Sequence, residues 1–189
     1  MLEKFRQRVR SRVQRRIAGR LLRRFARRQD GSAAVEFGLV AAPFLAVLFA
    51  IIETALVFFS SQALETAVAD ASRLIMTGQA QTQGMSQTAF KDAVCARIFG
   101  LFDCQGGVYV DVKAYSFSSF SNASITVPID GSGNFQNNFS YNPGGPGDIV
   151  VVRLFYQWPV ISLLDLTNMN GGKRLLAATA AFVNEPYAK

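Results

Sequence analysis

Chemistry-bearing residues are few in this chain, and the most telling group is "GSAAVEF", Gly31 to Phe37. It opens an apolar run: Phe37–Ile52 holds no charge, Glu53 interrupts, and "TALVFF" continues to Phe59. An ionised side chain in such a run costs on the order of 2.5–3.5 kcal/mol in a membrane, so it is usually paired or functional. A cut of the Gly31–Ser32 peptide bond would create a positively charged amine on Ser32, with Glu36 one helical turn away. A neighbouring subunit's carboxylate would then neutralise that amine within lipid and favour helix association. The plainer reading of Glu36 is a carboxylate at the interface, screened by water. For Glu53 the sequence leaves two places open, a bundle interior or the outer interface.

Other chemistry is sparse. The chain has no histidine, which removes Ser-His-Asp and Cys-His mechanisms, HExxH zinc sites and imidazole proton shuttles. Cys95 and Cys104 alone make no metal site, since four ligands are wanted. No glycine-rich phosphate loop follows a strand pattern, and no two carboxylates beyond the apolar run share helical spacing. A carboxylate-based hydrolase would need two acids brought about 5–9 Å apart, and nothing in the sequence pairs any. The expectation is a non-enzyme with no cofactor and no metal.

Charge is divided along the chain. Residues 1–31 carry 12 of the 20 Lys+Arg against Glu3 and Asp30, whereas the remainder is mildly acidic. The 23 residues 37–59 would span roughly 34 Å as a helix, enough for a bilayer core of about 30 Å. The arginine-rich flank places the N-terminus in the cytoplasm and the C-terminal body outside it. A secretory signal peptide cut near Ser61–Ala63 or Ala67–Ala69 is the competitor. Its basic region would be too long and its apolar core would exceed the usual 7–15 residues. Within the leader, Leu2, Phe5, Val9, Val13, Ile17, Leu21 and Phe25 recur at helical steps among arginines. That pattern suits a helix on an anionic leaflet, or a purely topogenic signal. RNA binding is disfavoured because only Phe5 and Phe25 offer stacking faces, so no nucleic-acid partner is expected.

Beyond Phe59 the helical spacing persists through Leu64, Val68, Ala71 and Ile75, with Gly78 as a stop. One helix from about Ser32 to Met76 would be roughly 68 Å long, with Pro43 expected to kink or locally unwind it. "SQTAFKDAVCARIFGLF" reads as a second helix capped by Ser86, with Phe90, Val94, Ile98 and Leu101 on one face. Outside the cytoplasm, Cys95 and Cys104 would pair across a short loop. "GVYVDVKAYSF" alternates with period two, and "DIVVVRLFYQW" is denser and suits a central strand. "LLAATAAFVNE" reads as a third strand, although its alanines also suit a helix. Residues 130–148, rich in Gly, Asn and Pro, form a loop where partner contacts would concentrate. Two sequons, at Asn122 and Asn138, are common by chance.

A basic leader, a glycine, four small or apolar residues, then Glu-Phe and a long apolar helix resembles a type IV prepilin processing site. "ADASRLIMTG", "FKDAVCARIFGLFDC", "VYVDVKAY" and "PGDIVVVRLFYQWPV" further resemble the TadE-like pseudopilins of the tight-adherence (Tad/Flp) pilus system. The leader, 31 residues, is long for that family. The resemblance implies cleavage by prepilin peptidase after Gly31, a mature chain starting at Ser32, and an assembly role for Glu36, Phe37 and the helix that carries Glu53. It also implies partners: the peptidase, other pilin or pseudopilin subunits and their assembly machinery, and lipids of a bacterial inner membrane. Whether the subunit enters the fibre or only primes it stays open.

The expected architecture is α+β and pilin-like: a long transmembrane helix continuing into a small antiparallel sheet. Residues 1–31 would be a cytoplasmic leader, 32–78 the helix, and 79–189 a periplasmic head with a flexible loop at about 130–148. The rival is an uncleaved, membrane-anchored extracytoplasmic binding module, recognising its ligand through that loop.

Overall fold

The apolar run does form one helix, α1, Ser32–Met76, unbroken in assignment through Pro43. The computed structural model describes residues 31–98, 100, 102–123, 125–160 and 167–187. The leader helix expected over residues 1–30 and the face position expected for Leu101 lie outside them. Contacts divide the chain into two units, the second beginning at Ala50.

In the first unit the described residues are the opening of α1. Large apolar side chains there stand open, among them Phe37, Leu39, Phe44 and Val47. Among the described residues, α1 is the one helix long and apolar enough to cross a membrane.

In the second unit α1 presents a different surface. Val57, Leu64, Ala67, Val68, Ala71 and Ile75 are buried in one core with the sheet. Each large apolar side chain buried this way contributes about 1.5–3 kcal/mol. Thr77 and Gly78 end the helix: the Thr77 amide donates to Arg73 O (3.0 Å) and the Gly78 amide to Ile75 O (3.0 Å). Gly78 adopts φ 77°, and a Cβ there would meet the Tyr187 ring at 2.3 Å, so both conformation and space call for glycine. Three short helices follow: α2, Gln79–Thr82, α3, Gln87–Cys95, and α4, Cys104–Gly107. Ser86 caps α3, its side chain accepting from the Ala89 amide at 3.2 Å. This helix stops at Cys95, short of the sequence pattern, because the chain turns back to bring Cys104 to it.

Strands β1, Val108–Tyr115, β2, Ile149–Pro159, and β3, Lys173–Val183, pair antiparallel in the order β1-β2-β3. β2 is central, and the alanine-rich segment is a strand. Opposed pairs include Val110–Leu154, Asp111–Arg153, Arg153–Thr179 and Trp158–Arg174. Alternation sends Val108, Val110, Val112, Val150, Val152, Leu154, Leu176 and Ala178 into the core shared with α1. The long helix followed by a small three-stranded antiparallel sheet makes the chain α+β.

The second sheet face is covered too. Phe155, Met169 and Leu175 are buried there, packed by Tyr109, Ile129, Phe135 and Phe139. The stretch expected as a loop from 130 to 148 supplies Phe135 and Phe139 to this layer. It also pairs with the β1 edge: the Val112 amide donates to Ser140 O (2.8 Å), and the Asn142 amide to Val112 O (2.9 Å). The 3₁₀ turn Phe120–Asn122 lies earlier in the same connection.

Candidate assembly site

Gly31 stands immediately before α1, with open space where a Cβ would be. Ser32 is the first residue of α1. Glu36 is exposed, and Phe37 is 75% exposed. Among the described residues no core receives this ring. Glu53 lies later on α1 and is half-buried, next to Thr54, whose hydroxyl donates to Ala50 O at 2.8 Å. Gly31, Ser32, Glu36 and Phe37 are thus contiguous at the opening of α1, with Glu53 on a separate stretch of it.

Cys95 and Cys104 are joined as a disulfide, with Cα atoms 5.6 Å apart. The bridge ties the end of α3 to the start of α4, beside the Asp103 cap. There the Gly106 amide donates to Asp103 Oδ1 at 2.9 Å. Phe102, next to this turn, packs its ring on Tyr156 at 4.3 Å between centroids. The bridged loop is therefore fastened to the sheet that α1 covers.

Sequence reasoning missed the polar centre of the head. Asp111, which the period-two pattern of β1 sets on one face with Tyr109 and Lys113, is fully buried. Its Oδ2 accepts from Arg153 Nε (3.1 Å) and Nη2 (2.5 Å), and its Oδ1 from the Ser140 amide (3.0 Å). Arg153 Nη1 donates onward to Thr126 O at 2.8 Å. One ion pair therefore holds β1, β2 and both ends of the long connection. The signal available in sequence was an isolated arginine inside "IVVVRLFY", which a central strand has no solvent to receive.

Asp130 organises the connection's outer turn. Its Oδ1 accepts from the Ser132 and Asn134 amides, and its Oδ2 from the Asn134 and Gln136 side chains. The Asn134 amide in particular holds its carboxyl below the usual aspartate value of 3.8. At the opposite end of the sheet, Tyr187 is raised by burial and by the nearby Asp148 charge.

No curated protein and no solved structure matches the chain. Residues 31–73 match the family model described as TadE-like protein. The matched segment begins at the glycine before α1 and ends within α1, outside the sheet. Over that helix the chain is similar to TadE-like proteins.

Proposed function

We propose that the chain is a minor pseudopilin acting in assembly of a Tad-type pilus. The observation that carries this is the coincidence of three boundaries: the family match begins at Gly31, α1 begins at Ser32, and exposed apolar side chains follow at once. Prepilin peptidase cuts the Gly31–Ser32 bond, and the new Ser32 amine enters the fibre or priming complex as a cation. Glu36 of an adjacent subunit neutralises it. Each charge alone would cost a few kcal/mol in lipid, so pairing makes association favourable where neither helix alone is well solvated. Phe37 and the apolar residues that follow supply the packing surface, and Glu53 contributes on the same helix.

The division of labour follows: a cytoplasmic leader over residues 1–31, a membrane helix at about 37–59, and a periplasmic head from residue 79. Leader arginines favour that orientation. A disulfide between Cys95 and Cys104 suits an oxidising compartment for the head. The assigned work is assembly rather than catalysis.

N-terminal sequencing of the membrane-bound protein, with and without the peptidase, tests the reading. The expected start is Ser32, dependent on the enzyme, and Glu36→Ala should leave cleavage intact while impairing assembly. A start at Met1 would support the uncleaved anchored module instead, and a start beyond Ala63 would make the chain a secreted product.

A further inference from the structure

A groove of about 520 Å³ lies between α1 and the start of β3, lined by Thr54, Val57, Phe58, Ser61 and the segment Arg174–Ala177. The four helix residues fall at steps of three, one and three, so they form one face of α1. Their chemistry changes along that face. Val57 and Phe58 belong to the apolar run, which ends at Phe59, while Ser61 belongs to the polar sequence after it. The groove therefore brackets the level at which α1 passes from hydrocarbon to water.

Around it the sheet presents what a bilayer surface attracts. Arg174 lines the groove, with Lys173 exposed beside it. Opposite Arg174 in register is Trp158, half-buried and in edge contact with Phe102 at 6.4 Å and with Tyr156 at 6.2 Å. Tryptophan and tyrosine concentrate at headgroup depth, where an apolar ring and a polar tip are both satisfied. Arg174 and Lys173 are the two cations at the start of β3. Phe58 is 67% exposed although it borders the groove, so its apolar wall is incompletely covered by the chain itself.

We infer that this groove holds one anionic phospholipid of the leaflet facing the head. Its phosphate sits on Arg174 at the rim, and an acyl chain runs along Val57 and Phe58. The inference rests on reading α1 as membrane-spanning. Lipid is favoured over a second protein helix because the groove joins a guanidinium to an apolar wall at the bilayer boundary. A guanidinium there matches a phosphate's charge and geometry.

Native mass spectrometry of the full 189-residue chain in mild detergent, with phosphatidylglycerol or phosphatidylcholine added, tests it. The preference for phosphatidylglycerol over phosphatidylcholine should fall about fivefold in Arg174→Gln, the ratio expected from one basic residue at about 1 kcal/mol, the leader arginines being common to both chains. Ser61→Trp, which fills the groove without touching its charge, should lower retention of both lipids. An unchanged preference in Arg174→Gln, unchanged retention in Ser61→Trp, or a protein dimer in place of the lipid adduct would overturn the inference. Flotation with vesicles separates the two readings. The wild type and both variants should float, and a wild type that does not float would overturn the anchor itself.

Discussion

Replacing Asp111 with alanine should destabilise the head more than most single substitutions elsewhere in it. Asp111 is fully buried and Arg153 is 7% exposed. The carboxylate accepts two hydrogen bonds from the guanidinium and one from the Ser140 amide. Without it, Arg153 keeps Thr126 O as an acceptor and the Phe155 ring beside its guanidinium, and a buried cation is left without a carboxylate. Breaking such a pair costs about 3–5 kcal/mol. At roughly 2–4 °C per kcal/mol for a chain of this size, the melting temperature should fall by about 6–20 °C. Thermal unfolding of the full chain in detergent, followed by fluorescence of Trp158, the single tryptophan, reads the shift. Arg153→Met should also be costly, because it leaves the buried carboxylate only the Ser140 amide and the Lys113 ammonium at 3.8 Å. The double variant Asp111→Ala with Arg153→Met removes both charges, so its cost should fall well short of the two single costs combined. Strict additivity would refute the reasoning, since it would mean that the two groups do not act as a pair. So would an Asp111→Ala shift of under about 2 °C, which is within the range of ordinary surface substitutions.

Two further outcomes are open to measurement. Reduction of the Cys95–Cys104 bridge, nine residues apart in sequence, or its replacement by Cys95→Ser with Cys104→Ser, should cost roughly 2.5 kcal/mol by loop-closure entropy. Thermal unfolding with and without reductant checks it, and an unchanged midpoint would show that the loop is held by Phe102 packing alone. Asp130, with its carboxyl held below the usual value of 3.8, stabilises its turn when ionised. Because its folded value is depressed, that contribution is fully present above pH 3.8 and is lost as pH falls through the folded value. Amide exchange at Ser132 and Asn134 should lose protection over that acidic range, and Asp130→Ala should abolish the pH response.

Much of the long helix was legible because one-dimensional periodicity carries it. Leu64, Val68, Ala71 and Ile75 recur at steps of four, three and four, and all four are buried. The apolar run is longer than a soluble helix needs, and the charge step before it has a direct physical consequence in membrane insertion. Serine 86 announced its cap, and two cysteines close in sequence needed only an oxidising compartment to pair. The strands were readable as well, since valines at every second position of β1 favour one buried face.

The rest needed three dimensions. Alternation says that two faces differ but not that both are covered. On the Asp111 side of the sheet the cover comes from Phe135 and Phe139, out of a glycine- and asparagine-rich connection. The alanines of β3 suit helix and strand alike, and pairing with β2 decided between them by satisfying its backbone hydrogen bonds. The groove at Arg174 had no sequence signature, because it joins residues over a hundred positions apart. By itself, then, the sequence determined where the chain is apolar, where it is charged, and the repeat of each pattern. Tertiary structure alone decided which charge is buried against which, because desolvation and pairing depend on what covers a side chain rather than on its neighbours in sequence.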